Sequence, residues 1–249
     1  MIGGLSDRPP NHLRTVRVRD GLTRTEGKTM ENKREIRYID MEVRAEETED
    51  NGAVITGYPI VFGQEIDMGD WREIIDPGSM GDGSVLRDVA LLSNHDWGMI
   101  PMARSRRNND NSTMKLTPDE HGVFMRAALD KKHNPRAQEA YSAVKRGDIT
   151  GMSFAFIANE ERWEDMDTEK PLRRIMSFSR IFEVSIVTNP AYPGTSVQAA
   201  SEGDALESVR ASLESERKRI ADERAEEAEQ ERRRAALDRL AKLQEEARA

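Results

Sequence analysis

Two residues able to do covalent acyl chemistry stand in short apolar stretches of this 249-residue chain. One is Ser153, in Thr150-Gly151-Met152-Ser153-Phe154-Ala155-Phe156; the other is His95, in Leu91-Leu92-Ser93-Asn94-His95-Asp96. A serine hydroxyl is a weak nucleophile until a base takes its proton, and imidazole is the side chain best poised for that near neutral pH. The chain has no cysteine, which excludes a thiol nucleophile and a thiolate metal site, and it has only four histidines. Of these, only His95 ends a strand-like run, so any Ser/His chemistry reduces to one pair.

Strand alternation sorts the neighbours of Ser153. Met152, Phe154 and Phe156 share one face, whose bulk marks it as the core side; Ser153, Ala155 and Ile157 share the other, where small residues are expected to leave room for a substrate. Taken alone, this is also what an ordinary strand serine looks like, and a histidine at a strand end is more often a hydrogen-bonded edge residue than a base. Asp96 is a poor orienting group for His95, because adjacent strand residues point to opposite faces. Glu183 lies opposite the apolar set Phe182, Val184 and Ile186, and a carboxylate there needs a partner if it is even partly buried. His121 falls in a predicted hairpin turn and His133 before a helix cap. No pair of histidines has ligand spacing, and there is no glycine-rich phosphate loop and no Gly-x-Ser-x-Gly elbow.

The elements that must position these residues are mostly strands. Residues 35–43 read as the first. Ala53 to Phe62 follows, with a kink or sheet edge at Pro59, and Asp88 to His95 is a third. Thr113–Leu116 and Val123–Leu129 flank Pro118-Asp119-Glu120-His121-Gly122, turn chemistry that predicts a hairpin. Asn134-Pro135 predicts a helix start as cap and first-turn proline, Ala137, Ala140, Tyr141 and Val144 give that helix one apolar face, and Gly147 ends it. Gly151–Ala158 and Ile175–Thr188 read as two more strands, separated by a polar excursion from Asn159 to Pro171. Asn189-Pro190-Ala191-Tyr192-Pro193-Gly194 closes the folded unit.

Composition bounds the whole. Charged residues make up 34% and aromatics 5%, too polar for one globule from end to end, so a folded middle between less compact ends is expected. Residues 1–33 read as a disordered basic arm, within which Met30 marks a change of character and is a candidate start of the functional protein. Residues 34–197 form the folded domain. Residues 201–249 read as a long charged helix whose Leu206, Val209, Leu213 and Ile220 keep a seven-residue seam that Glu216 and Glu223 interrupt. That pattern fits either a solvated helix with i,i+4 ion pairs or a partner-binding, coiled-coil-like one. The net charge of −8 argues against nucleic acid as the main partner. The absence of cysteine fits a reducing compartment. No eighteen-residue apolar run or signal-peptide core is present, so a cytoplasmic protein is expected.

Six stretches, in order, resemble the prohead (capsid-maturation) serine proteases of tailed phages, a group related to the herpesvirus assemblins. They are Gly57-Tyr58-Pro59-Ile60-Val61-Phe62, Glu73-Ile74-Ile75-Asp76-Pro77-Gly78-Ser79-Met80, Leu91-Leu92-Ser93-Asn94-His95-Asp96, Ile100-Pro101-Met102-Ala103-Arg104, Gly147-Asp148-Ile149-Thr150-Gly151-Met152-Ser153-Phe154, and Phe182-Glu183-Val184-Ser185-Ile186-Val187-Thr188-Asn189-Pro190-Ala191. The resemblance covers about Arg34 to Val197. It implies Ser153 as nucleophile, His95 as base and Glu183, ahead of Asp96 or His121, as third member, with no cofactor. It implies an α+β fold: a curved, mainly antiparallel β-barrel of the herpesvirus-protease type, here followed by the charged helix. It also implies a serine endopeptidase acting in the host cytoplasm inside the assembling prohead. Its substrates would be the scaffold or delta segment of the major capsid protein and the protease itself, and the partners it leaves open include a second copy of the chain in a homo-oligomer. A catalytically inactive, scaffold-like assembly protein is the alternative. One departure is Ala103, where relatives often have glycine; an alanine would be strained if that position needed a positive φ.

Overall fold

A computed structural model describes residues 34–39, 43–47, 52–188 and 203–246. The basic arm 1–33, the candidate start at Met30 and the closing Asn189–Gly194 segment lie outside them. Eleven strands and two α-helices follow in chain order among the described residues: β1 Glu35–Ile39, β2 Arg44–Glu47, β3 Ala53–Val61, β4 Ile66–Asp67, β5 Arg72–Ile75, β6 Ala90–Ser93, β7 Ala103–Arg104, β8 Met114–Pro118, β9 Gly122–Leu129, α1 Pro135–Arg146, β10 Gly151–Glu164, β11 Leu172–Val187 and α2 Gly203–Glu246. This is a mixed α+β fold, mostly sheet.

The strands form two sheets. The larger centres on the β10–β11 antiparallel pair, which is longer than the apolar pattern predicts because charged residues of the polar excursion continue it. Glu164 pairs with Arg174 and Glu161 with Arg173 across the two strands, so side-chain ion pairs compensate for the missing apolar face. Register breaks between Ala155 and Glu161 mark bulges, which bend a strand and sharpen its twist. β1 pairs antiparallel with the start of β10. β11 is long enough to take two further partners, β5 along its first half and β6 along its second, both parallel. The smaller sheet runs β2-β3-β9-β8, all antiparallel. The expected barrel is not seen: among the described residues the pairings close no ring, and two of them are parallel, since β5 and β6 reach β11 by crossovers rather than hairpins.

Local chemistry explains several elements. The register of β3 against β9 breaks between Gly57 and Ile60, where Pro59 has no N–H to give the ladder. Gly122 starts β9 against Ile60, whose carbonyl oxygen would lie 2.0 Å from any added Cβ, so only glycine lets the strands approach. In α1, Asn134 Oδ1 accepts from the N–H groups of Arg136 and Ala137, and Gly147 ends the helix at φ 78°; such a cap is worth about 1 kcal/mol. Its buried Ala137, Ala140, Tyr141 and Val144 join the main core.

α2 is a single long helix, and only its first turns pack. Val209 is buried with Met68 and Trp71, and Leu206 and Trp163 lie beside them. Trp163 Nε1 donates to Ser212 Oγ at 3.2 Å and Arg210 pairs with Asp70. The seam residues Leu206, Val209 and Leu213 therefore face the chain's own domain. Beyond them the helix is mostly exposed, with ion pairs such as Arg219–Glu223 on its surface and a further tie to the domain, Arg224 to Asp167 at 2.7 Å.

A buried charge cluster occupies the core. Arg37 and Arg173, with Glu35 and Glu73, are all at most 5% exposed. Glu73 receives Arg37 Nε at 2.5 Å and Arg173 Nη1 at 2.8 Å, and Glu35 bonds both arginines. Burial alone would raise the Glu73 carboxyl, but the two guanidiniums outweigh it and hold the pKa down at about 2.

Candidate active site

β6 ends at Ser93, and the next two residues, Asn94 at φ 51° and His95 at φ 56°, both take the left-handed backbone conformation. Non-glycine residues persist there only where the surroundings hold them, and such strain clusters at functional sites. The hold comes from β11 and the residue after it. Asn94 N–H donates to the Ile186 carbonyl at 2.9 Å, the Asn94 side-chain oxygen accepts from the Thr188 N–H and hydroxyl, and His95 N–H donates to Ser185 Oγ at 3.1 Å. The turn brings the imidazole onto β11, where Nδ1 lies 2.7 Å from Glu183 Oε1. The other carboxylate oxygen, Oε2, accepts the Ser185 hydroxyl at 2.5 Å. Glu183 and Ser185 are fully buried, and Ser185 ties the carboxylate to the backbone of the histidine that the carboxylate holds.

Register supplies the rest. Ser153 on β10 lies directly opposite Ser185 on β11 and Tyr38 on β1, and Ala155 lies opposite Glu183. Directly opposed residues share a face, so Tyr38, Ser153, Ser185 and Glu183 form one polar patch on the sheet. The Tyr38 ring meets the His95 ring edge-on, with centroids 5.5 Å apart. Burial and the negative charge of Glu183 both push the Tyr38 phenol up. Ser153 is fully buried, and its hydroxyl donates to the Arg37 carbonyl at 2.8 Å rather than to the imidazole. The face expected to stand open at Ser153 is therefore covered, because Tyr38 and the returning His95 lie along it.

With a carboxylate as acceptor, Nδ1 carries the imidazole proton and leaves the Nε2 lone pair free. Nε2 is buried and has no hydrogen-bond partner among the described residues; buried polar atoms are seldom left so. The arrangement is an oriented base with an unused proton-accepting atom, one strand from a serine hydroxyl.

The structure thus brings together His95 and Glu183 and sets Ser153 in the adjoining row. Asp96 turns away, accepting from Arg136 at 3.3 Å and from the Gly98 N–H. His121 is exposed in its hairpin turn and His133 pairs with Asp130 on the surface. Ala103 lies extended in β7 opposite Leu91, so the feared strain does not arise. Two members of the patch escape a sequence reading. Ser185 was within reach of one, since Glu183-x-Ser185 puts both on one face; Tyr38 was not, because its place depends on β1–β10 register. No group of three or more histidine, aspartate and glutamate side chains suited to a metal occurs among the described residues. None of the helices searched is long and apolar enough to cross a membrane.

The family model for caudovirus prohead serine proteases matches residues 39–208, which takes in every residue of the polar patch except Tyr38. The chain belongs to that family. The match begins at the last residue of β1 and ends in the first turns of α2. No curated protein matches the chain, and no solved structure does.

Proposed function

We propose that this chain is a serine endopeptidase of prohead maturation, with Ser153 as nucleophile, His95 as general base and Glu183 as the group that orients His95. The observation that carries the reading is the His95–Glu183 hydrogen bond at 2.7 Å, beside a serine on the same sheet face within a peptidase family. Rotation of Ser153 about its Cα–Cβ bond, between staggered wells, turns Oγ from the Arg37 carbonyl toward Nε2. His95 takes the proton as Oγ attacks a peptide carbonyl and returns it to the leaving amine. Water then releases the acyl group by the same path in reverse. Glu183 stabilises the imidazolium in each half-reaction, and backbone amides hold the oxyanion.

The substrates we infer are the scaffold or delta segment of the major capsid protein and the chain itself, cleaved inside the prohead in the host cytoplasm. Residues 34–197 act as the protease domain. The charged helix beyond its docked turns engages helical scaffold segments and so recruits the enzyme. The bulges in the β10–β11 pair, which bend and twist a strand, support a relationship to the herpesvirus-protease barrel. Co-expression with the capsid protein tests the activity: wild type should cleave it, while Ser153→Ala and His95→Ala, folded normally, should not. Persistent cleavage by Ser153→Ala would make the nucleophile assignment wrong. Truncation after Ser215 tests recruitment; normal packaging of that variant would remove the role given to the helix.

A further inference from the structure

The ends of the three site-bearing strands converge on a cleft that the triad chemistry does not use. Its volume is about 240 Å³, and its lining includes Ser93 and Asn94 at the end of β6, Ile149 just before β10 and Thr188 just after β11. That is below the roughly 300–1,000 Å³ of small-molecule sites and matches a side chain better than a cofactor. The far wall is one face of α1, where Arg136, Ala140 and Ala143 recur at i, i+4 and i+7. Met99, Met102 and Ile149 make the floor apolar, and methionines adapt their shape to what they contact. Arg136, Glu139 and Asp148 also line the cleft. Arg136 pairs with Asp96, which ties α1 to the residue after His95.

We infer that this cleft is a specificity subsite, receiving one aliphatic or methionine side chain of the substrate near the scissile bond. The inference rests on the peptidase reading above. Chain continuity sets the reach. Ile149 is four residues from Ser153, at most about 13 Å along an extended strand, and Asn94 adjoins His95. An extended peptide attacked at Ser153 therefore brings a side chain to the cleft from within about four residues of the cleaved bond. A leucine-sized group buries its surface on the apolar floor, whereas a charged one loses hydration there and can pair only with the polar lining, where Arg136 and Asp148 already hold Asp96 and Arg146.

The test is digestion of tryptic peptides from a bacterial lysate by the full chain, with cleavage sites read by mass spectrometry. Wild type should enrich leucine, isoleucine, methionine or valine at one position within about four residues of the cut. Ala143→Leu fills the cleft from the α1 side and should lower the ratio of cleavage at such sites to cleavage at alanine or glycine sites by about tenfold. Ala143→Ser keeps the size but adds a hydroxyl, and should lower the ratio less, in the same direction. Ser153-dependent cleavage without an apolar preference, or an unchanged ratio in both variants, overturns the subsite alone. Absence of any cleavage that Ser153→Ala abolishes overturns the peptidase reading and the subsite with it.

Discussion

Two buried polar clusters share the strands β1 and β11, and they differ in how completely they are satisfied. Arg37 lies opposite Phe154, and Tyr38 opposite Ser153, so alternation places the charge cluster and the serine patch on opposite faces of one sheet. In the charge cluster each carboxylate meets both guanidiniums. In the patch, a histidine sits on strained backbone with one ring nitrogen held and the other unpartnered. Full pairing is what a structural cluster needs, because an unpaired buried charge is costly. An unused acceptor on an oriented base has a cost in stability, and proton transfer is the use we propose for it. The clusters also meet: the backbone carbonyl that holds the Ser153 hydroxyl belongs to Arg37, whose guanidinium anchors the other cluster.

The contrast predicts that substitutions on the two faces separate activity from stability. On the patch, His95→Ala should lower peptide cleavage by about 10⁴-fold or more at a stability cost of about 1–3 kcal/mol for the lost donor to the buried Glu183 carboxylate; a fall in Tm as large as that of Glu73→Ala would show the histidine to be structural. In the charge cluster, Glu73→Ala leaves two guanidiniums under-paired and should cost about 3–5 kcal/mol, a fall in Tm of roughly 6–20 °C for a chain of this size. Unchanged calorimetry would mean that the cluster is not what holds β1, β5 and β11 together. Ser185→Ala removes a hydrogen bond to a charged carboxylate. It should slow cleavage about 10- to 100-fold through kcat more than KM, with Ser185→Thr recovering part of the rate.

The smallest effect is one of pH. Glu73 is held at about 2 when folded, against 4.5 as its ordinary value, so it is ionised in the native state at pH values where the unfolded chain already binds the proton. Its contribution is complete above about pH 4.5 and is lost as pH falls toward about 2. Unfolding free energy from urea titrations should decline across that window, and decline less in Glu73→Gln. Equal slopes for the two proteins would contradict the assignment.

How much of this was legible follows from where the determining contacts lie. α1 was readable from Asn134, Pro135 and Gly147 because caps and breakers act locally. The kink at Pro59 and the 118–122 turn were readable for the same reason. The convergence of His95 and Glu183 was suggested only by the order of motifs, since their contact spans 88 residues and needs the parallel β6–β11 register. The charge cluster was hidden: Glu35, Arg37, Glu73 and Arg173 look like surface charges until three strands bring them together. The burial of Ser153 was missed because alternation tells which face a residue is on and not what covers that face. The length of β10 was missed because charged pairing, rather than apolar patterning, sustains its second half.

The central claim is that His95, oriented by Glu183, activates Ser153, and covalent labelling by a fluorophosphonate probe tests it most directly. The account predicts a single adduct on the Ser153 peptide of the wild-type chain, absent from Ser153→Ala and strongly reduced in His95→Ala. An adduct that persists in Ser153→Ala, or a wild-type chain that takes up no probe, would contradict it.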